Sequence, residues 1–182
     1  MTSNPPPASP ARVPAVVWES LFVRSLEVKG ALRDELKAAG FDPERLEVSY
    51  PLSLFTHCVD LVRTHLYPQL SVPQVYWEMG RRTMQGFRST LVGTVVTAAI
   101  PLLGPARYLK RIPEHAKVGG LKMDVTPVPV GEREYRLEFR RTQVTPEYAA
   151  GLIEVGMELA KVKPSIEPRR IDAEGFDLII HW

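Results

Sequence analysis

At 182 residues, 45% hydrophobic and 24% charged, the chain has the make-up of an ordinary globular protein with room for one domain. A formal charge of +2 excludes a chain-wide attraction to nucleic acid or anionic membrane. The single cysteine, Cys58, excludes an internal disulfide framework and a multi-cysteine zinc site. With no basic-then-apolar leader at the N-terminus, it gives the expectation of a cytoplasmic protein.

Residues 1–14 hold five of the seventeen prolines, one charged side chain and no apolar period. They read as a disordered tail. Residues 16–26, with Val17, Leu21 and Phe22 beside Trp18, suit an amphipathic helix, although Val16-Val17 and Phe22-Val23 leave a strand open. Residues 30–40 are a clearer helix: Leu32, Leu36 and Ala39 form one stripe, and Gly40 is a natural terminator. Residues 51–67 repeat Phe55, Cys58/Val59, Val62 and Leu66 at helical spacing between two prolines.

The chain is organised around residues 71–104. Ser71 and Gln74 match a capping box, and Gly104-Pro105 closes the stretch. Its apolar run, residues 91–103, carries no charge. A membrane span needs about 20 such residues, so the run predicts a buried helix and no membrane insertion. A short helix follows over 105–111, and Pro113 is expected to kink or break what comes next.

Beyond Gly119-Gly120 the period falls from 3.6 to 2. Leu121, Met123 and Val125 alternate with polar residues, as do Tyr135, Leu137 and Phe139, which predicts a hairpin with one buried face. Thr145-Pro146 opens a helix to about residue 162. Residues 165–171 and 176–182 form a second hairpin, with Pro168 placing the first strand at an edge. The expected fold class is α+β. A helical half (15–117) packs on a C-terminal β-β-α-β-β half (118–182) with a four-stranded antiparallel sheet, the two forming one domain over 15–182.

Three features of this pattern, His-Ala-Lys-Val-Gly (115–119), Gly-Leu-Ile-Glu-Val-Gly (151–156) and the β-β-α-β-β order, resemble the haem–nitric oxide/oxygen-binding (H-NOX) domain. The related vinyl-reductase-like small-molecule-binding domains are similar too. Ala-Gly-Phe-Asp with Tyr-Pro (39–51), Gly-Arg-Arg-Thr-Met-Gln-Gly-Phe (80–87) and Leu-Leu-Gly-Pro-Ala-Arg (102–107) resemble an uncharacterised myxobacterial paralogous family of similar length. The H-NOX resemblance implies that His115 stands where the proximal haem ligand belongs. It also implies that a Tyr-x-Ser-x-Arg motif for the haem propionates falls on Phe139, Arg141 and Gln143, none of which keeps the family's residue. The reading is therefore no cofactor, with haem on His115 as the alternative that the resemblance implies.

Trp77, Phe87, Tyr108 and His115 are the candidate lining of a pocket between helices and sheet. Arg81, Arg82, Arg107, Lys110, Arg111 and Arg141 are candidates for an anion or partner patch, because arginine forks suit carboxylate and phosphate. His57, Cys58 and His65 share a helix but lack further metal ligands, and no motif supports nucleic acid. With no paired carboxylates, catalytic triad or cofactor loop, the expectation is a non-enzymatic sensory domain binding a small, largely apolar ligand. Its rival is a protein-interaction or dimerisation module with a filled core. A pocket of about 300 Å³ or more favours the first.

Overall fold

In the computed structural model, which describes residues 11–118 and 123–182, the chain enters as a strand. β1 (Arg12–Pro14) pairs antiparallel with β2 (Ser49–Pro51), Val13 opposite Tyr50. The expected tail is thereby shortened, since residues 12–14 are ordered by this ribbon; residues 1–10 lie outside the described residues. Residues 16–26 are helical: α1 (Ala15–Trp18) runs on as a π-helix over Glu19–Ser25. Its wide turn is marked by Leu26 N donating to Leu21 O at 2.9 Å.

α2 (Gly30–Ala39) stops at Gly40, whose φ of 109° is a left-handed conformation that favours glycine. α3 (Leu52–Leu66) turns Phe55, Cys58, Val59 and Val62 inward. Between these elements Trp18 stacks into an aromatic cluster, with ring centres 4.6 Å from Phe41, 4.7 Å from Tyr50 and 5.2 Å from Phe22. Such pairs add about 0.5–1.5 kcal/mol each beyond the area they bury, so this cluster anchors the N-terminal core.

α4 (Val72–Phe87) opens as expected, with Gln74 Oε1 accepting from Ser71 N at 2.9 Å. It does not continue to residue 103. Thr90 Oγ1 accepts from Gly93 N at 3.0 Å and so caps a new helix, α5 (Leu91–Ala98), followed by α6 (Ile100–Leu103). The α5–α6 arm leaves α4 at 96°. The expectation of a buried run is corrected too: Leu91 is 87% exposed, Val95 72% and Leu102 87%. Gly93, Thr97 and Ile100 face inward. No single described helix is long and apolar enough to cross a membrane.

α7 (Pro105–Lys110) ends at Arg111, where α8 (Ile112–Val118) starts afresh. Pro113 therefore sits in a first turn, where it removes no needed donor and leaves the helix at His115 undistorted. β3 (Asp124–Gly131), β4 (Glu134–Arg140), β5 (Ser165–Arg170) and β6 (Phe176–His181) form an antiparallel sheet in the order β3-β4-β6-β5. Pro168 lies on its edge strand β5, and Gly119, Gly120 and Leu121 lie outside the described residues. α9 (Pro146–Leu159), capped by Thr145 Oγ1 accepting from Tyr148 N, packs against both β5 and β6. The fold is α+β, with a sheet core around Leu137, Phe139, Phe176 and Leu178 beside the aromatic core.

α4 and α9 join the two cores with their backbones nearly touching. A Cβ on Gly80 would stand 2.1 Å from Tyr148 O, and one on Gly151 would stand 2.0 Å from Trp77 O. Only glycine lets the helices approach this far.

Candidate functional site

Between the two cores lies a cavity of about 140 Å³. That is under half of the ~300 Å³ set above for a ligand pocket, so the size expected of the sensory reading is not reached; it is close to the ~150 Å³ of apolar cavities that bind benzene or xenon. Every layer of the fold contributes a wall. Val16 and Val17 come from α1, Met84 and Phe87 from α4, and Val96 from α5. Phe139 of β4 and Ala149 of α9 close the opposite side.

The few polar groups at the wall are mostly engaged elsewhere. Ser20 Oγ donates to Val16 O at 2.6 Å, and Thr83 Oγ1 donates to Met79 O at 2.8 Å. The Tyr148 hydroxyl donates to Thr83 Oγ1 at 2.8 Å, and burial pushes its phenol well above the ordinary value. Tyr108 is 2% exposed, and burial raises its phenol likewise. Its hydroxyl lies where a side chain on Gly156 would project, since a Cβ there would stand 1.9 Å from it. His115 completes the lining, with its ring centre 5.9 Å from that of Tyr108. Burial holds its imidazole below the ordinary 6.5; Glu114 opposes this and Arg111 adds to it. The neutral ring offers one donor and one acceptor, and no side-chain hydrogen bond engages either among the described residues.

Of the four candidate lining residues, the structure places Phe87, Tyr108 and His115 at this wall and Trp77 outside it. Trp77 Nε1 donates to Glu154 Oε2 at 2.7 Å, and the ring faces a separate surface depression beside Glu147 and Pro168. The wall residues Met84, Val96 and Ala149 carry no sequence signal beyond helical periodicity, which marks core without marking where the core is left unfilled. The candidate cationic patch divides. Arg81 bonds Glu154 at 2.6 Å and Glu158 at 3.0 Å, and Arg82 bonds Glu78 at 2.7 Å. Arg141 pairs with Asp124. Arg107, Lys110 and Arg111 are exposed and make no ion pair among the described residues.

Cys58 and the two histidines on its helix do not form a site. The Cys58 thiol is fully buried and its pKa is pushed up to about 12, while His65 Nε2 lies 3.1 Å from Glu35. Among the described residues no cluster of three metal-ligating side chains occurs.

A haem does not fit the cavity as it stands. The imidazole of His115 suits iron, but the space is that of one small ring rather than a porphyrin, and among the described residues no cation lines it to meet two propionates. At the positions that match the propionate motif, Phe139 is an apolar wall, while Arg141 and Gln143 are exposed outside.

The chain belongs to the family DUF2378, a protein of unknown function, whose model matches residues 11–182. Nothing among the curated proteins matches it. Among solved structures it is similar to a variant of the Fe(II) unliganded H-NOX protein from K. algicida, with a TM-score of 0.69 and 11% identity over 92% of this chain and 95% of that one. A structure described for the modulation of haem redox potential through porphyrin distortion gives a TM-score of 0.65 at 18% identity, over 92% of this chain and 97% of that one. A T. tengcongensis H-NOX variant gives 0.62 at 18%, over 82% and 85%. At these identities the likeness establishes the fold.

Proposed function

We propose that this DUF2378 protein is a non-enzymatic sensory domain that binds a small apolar molecule between its helices and its sheet. The observation that carries the reading is the position of the cavity, on the boundary between two separately packed cores. A molecule there touches α1 and α4 on one side and β4 and α9 on the other. An occupant that fits one arrangement of the two cores better than another shifts their equilibrium by that difference in affinity. The π-helical segment after α1 supports this role, since Ser20 O would stand 1.8 Å from a Cβ on Gly86 and so couples α1 tightly to α4.

The ligand we infer is about the size of a benzene ring, with at most one polar group, directed at His115. Haem is not the ligand we infer, because the volume suits one small ring and the described lining holds no cation for its propionates, although the haem-linked structures that share the fold also use it to hold a molecule. The test is native mass spectrometry of freshly purified protein beside thermal unfolding with and without benzene. Benzene is expected to raise the Tm, and any co-purifying mass should be far below that of haem. A bare mass with no benzene response would replace this reading by an interaction module. A Soret band that His115→Ala removes would restore haem.

A further inference from the structure

Residues 89–106 carry no charged side chain, and no acidic residue occurs between Glu78 and Glu114. Within this stretch Leu91, Val95, Ala98 and Leu102 recur at helical spacing along α5–α6, and all four are exposed. With Val92, 51% exposed, they make a continuous apolar stripe on the outside of the arm. Soluble surfaces scatter single apolar residues; a contiguous stripe marks a surface that something covers.

The charges around the stripe say what covers it. Arg88 stands at the start of the arm and lines a surface depression with its Ala98 and Pro101. Arg107, Lys110 and Arg111 follow its end. All four cations are exposed and unpaired among the described residues, whereas Arg81 and Arg82 are neutralised by Glu154, Glu158 and Glu78. A two-fold dimer through this face would bring two sets of these cations together with no acid of the segment to meet them. An anionic bilayer offers acyl chains to the stripe and phosphate and carboxylate groups to the cations.

We propose that the α5–α6 arm docks the protein on the surface of an anionic lipid bilayer. The stripe lies at the boundary of headgroups and acyl chains, and Arg88, Arg107, Lys110 and Arg111 lie among the headgroups. The arm rests in the interface and does not cross it, being too short for that. Docking stands whether or not the cavity takes a ligand. The two sites nonetheless share a wall, because Val96 of α5 faces the cavity.

The test is sedimentation of the full chain with vesicles of phosphatidylcholine alone and of equal parts phosphatidylcholine and phosphatidylserine. Binding is expected to the mixed vesicles only, and to weaken as salt rises. Replacing Arg107, Lys110 and Arg111 by glutamine should weaken it about a hundredfold, at roughly fivefold per cation. Leu91→Gln with Leu102→Gln should abolish it; both sites are exposed, so the Tm should stay unchanged and the benzene response intact. Sedimentation with neither vesicle type overturns the proposal, as does equal binding by the glutamine variant. A dimer that Val95→Glu dissociates also overturns it, and assigns the face to a second copy.

Discussion

Replacing Ala149 by leucine puts new side chain where the structure has space and none is needed for the fold. Ala149 is 3% exposed on α9, with its methyl group at the wall of the cavity. Leucine adds three carbons at about 0.8 kcal/mol per buried methylene, a gain of about 2 kcal/mol once its slightly poorer helix propensity is subtracted. For a chain of this length that is a rise in Tm of about 4–8 °C. Urea unfolding at constant m measures the gain directly, and the same variant should lose the stabilisation that benzene gives the parent. A loss of about 1–3 kcal/mol would be the signature of overpacking and would refute the cavity. A gain that left the benzene response intact would place benzene elsewhere and refute the site.

Two further outcomes follow from the packing. Gly80→Ala sets a methyl group against the Tyr148 carbonyl, a backbone atom that moves only with its helix. The steric loss should exceed the ~1 kcal/mol that alanine gains in a helix, for a net destabilisation of about 2–3 kcal/mol in urea or thermal unfolding; a net gain would mean that α4 and α9 do not approach so closely. His115 sets a pH dependence. Its folded pKa lies below 6.5, so as pH falls the unfolded chain takes up the proton first. This contribution is therefore fully present above about 6.5 and is lost as pH falls from there through the folded value. Stability measured at about pH 7.5 and about pH 5.5 should fall more for the parent than for His115→Gln, and equal falls would show that the ring is not held neutral by burial.

Much of the fold is written in local sequence. Gly40 ends α2 because the left-handed residue there has a glycine, and Ser71 with Gln74 opens α4 because its side chains satisfy free backbone donors. The alternation Tyr135, Leu137, Phe139 names both a strand and its buried face. What escapes the sequence depends on rotation and on distant partners. Trp77 and Phe87 sit on one helix, yet α4 is turned so that only Phe87 reaches the cavity, while Trp77 meets Glu154. Arg81 and Arg82 look like a free cationic pair until α9 brings Glu154 and Glu158 beside the first. The ribbon of β1 and β2 is hidden because two prolines and a short span imitate a tail; its register is set by Tyr50, a residue in another part of the chain.

The α5–α6 arm is the most instructive departure, because hydropathy alone cannot say what buries an apolar run. Composition puts residues 91–103 in the interior, and half of that reading holds: Ile100 is fully buried, and Val96 faces the cavity. The other half fails, since Leu91, Val95 and Leu102 face outward. A helix apolar on both sides cannot be satisfied by one core. The inner face is covered by the fold and the outer one awaits an outside surface, so the segment is at once a wall of the cavity and a place of contact. Pressure on its outer face would be felt by whatever lies against Val96. That makes the arm the shortest physical route from an external surface to the space between the two cores.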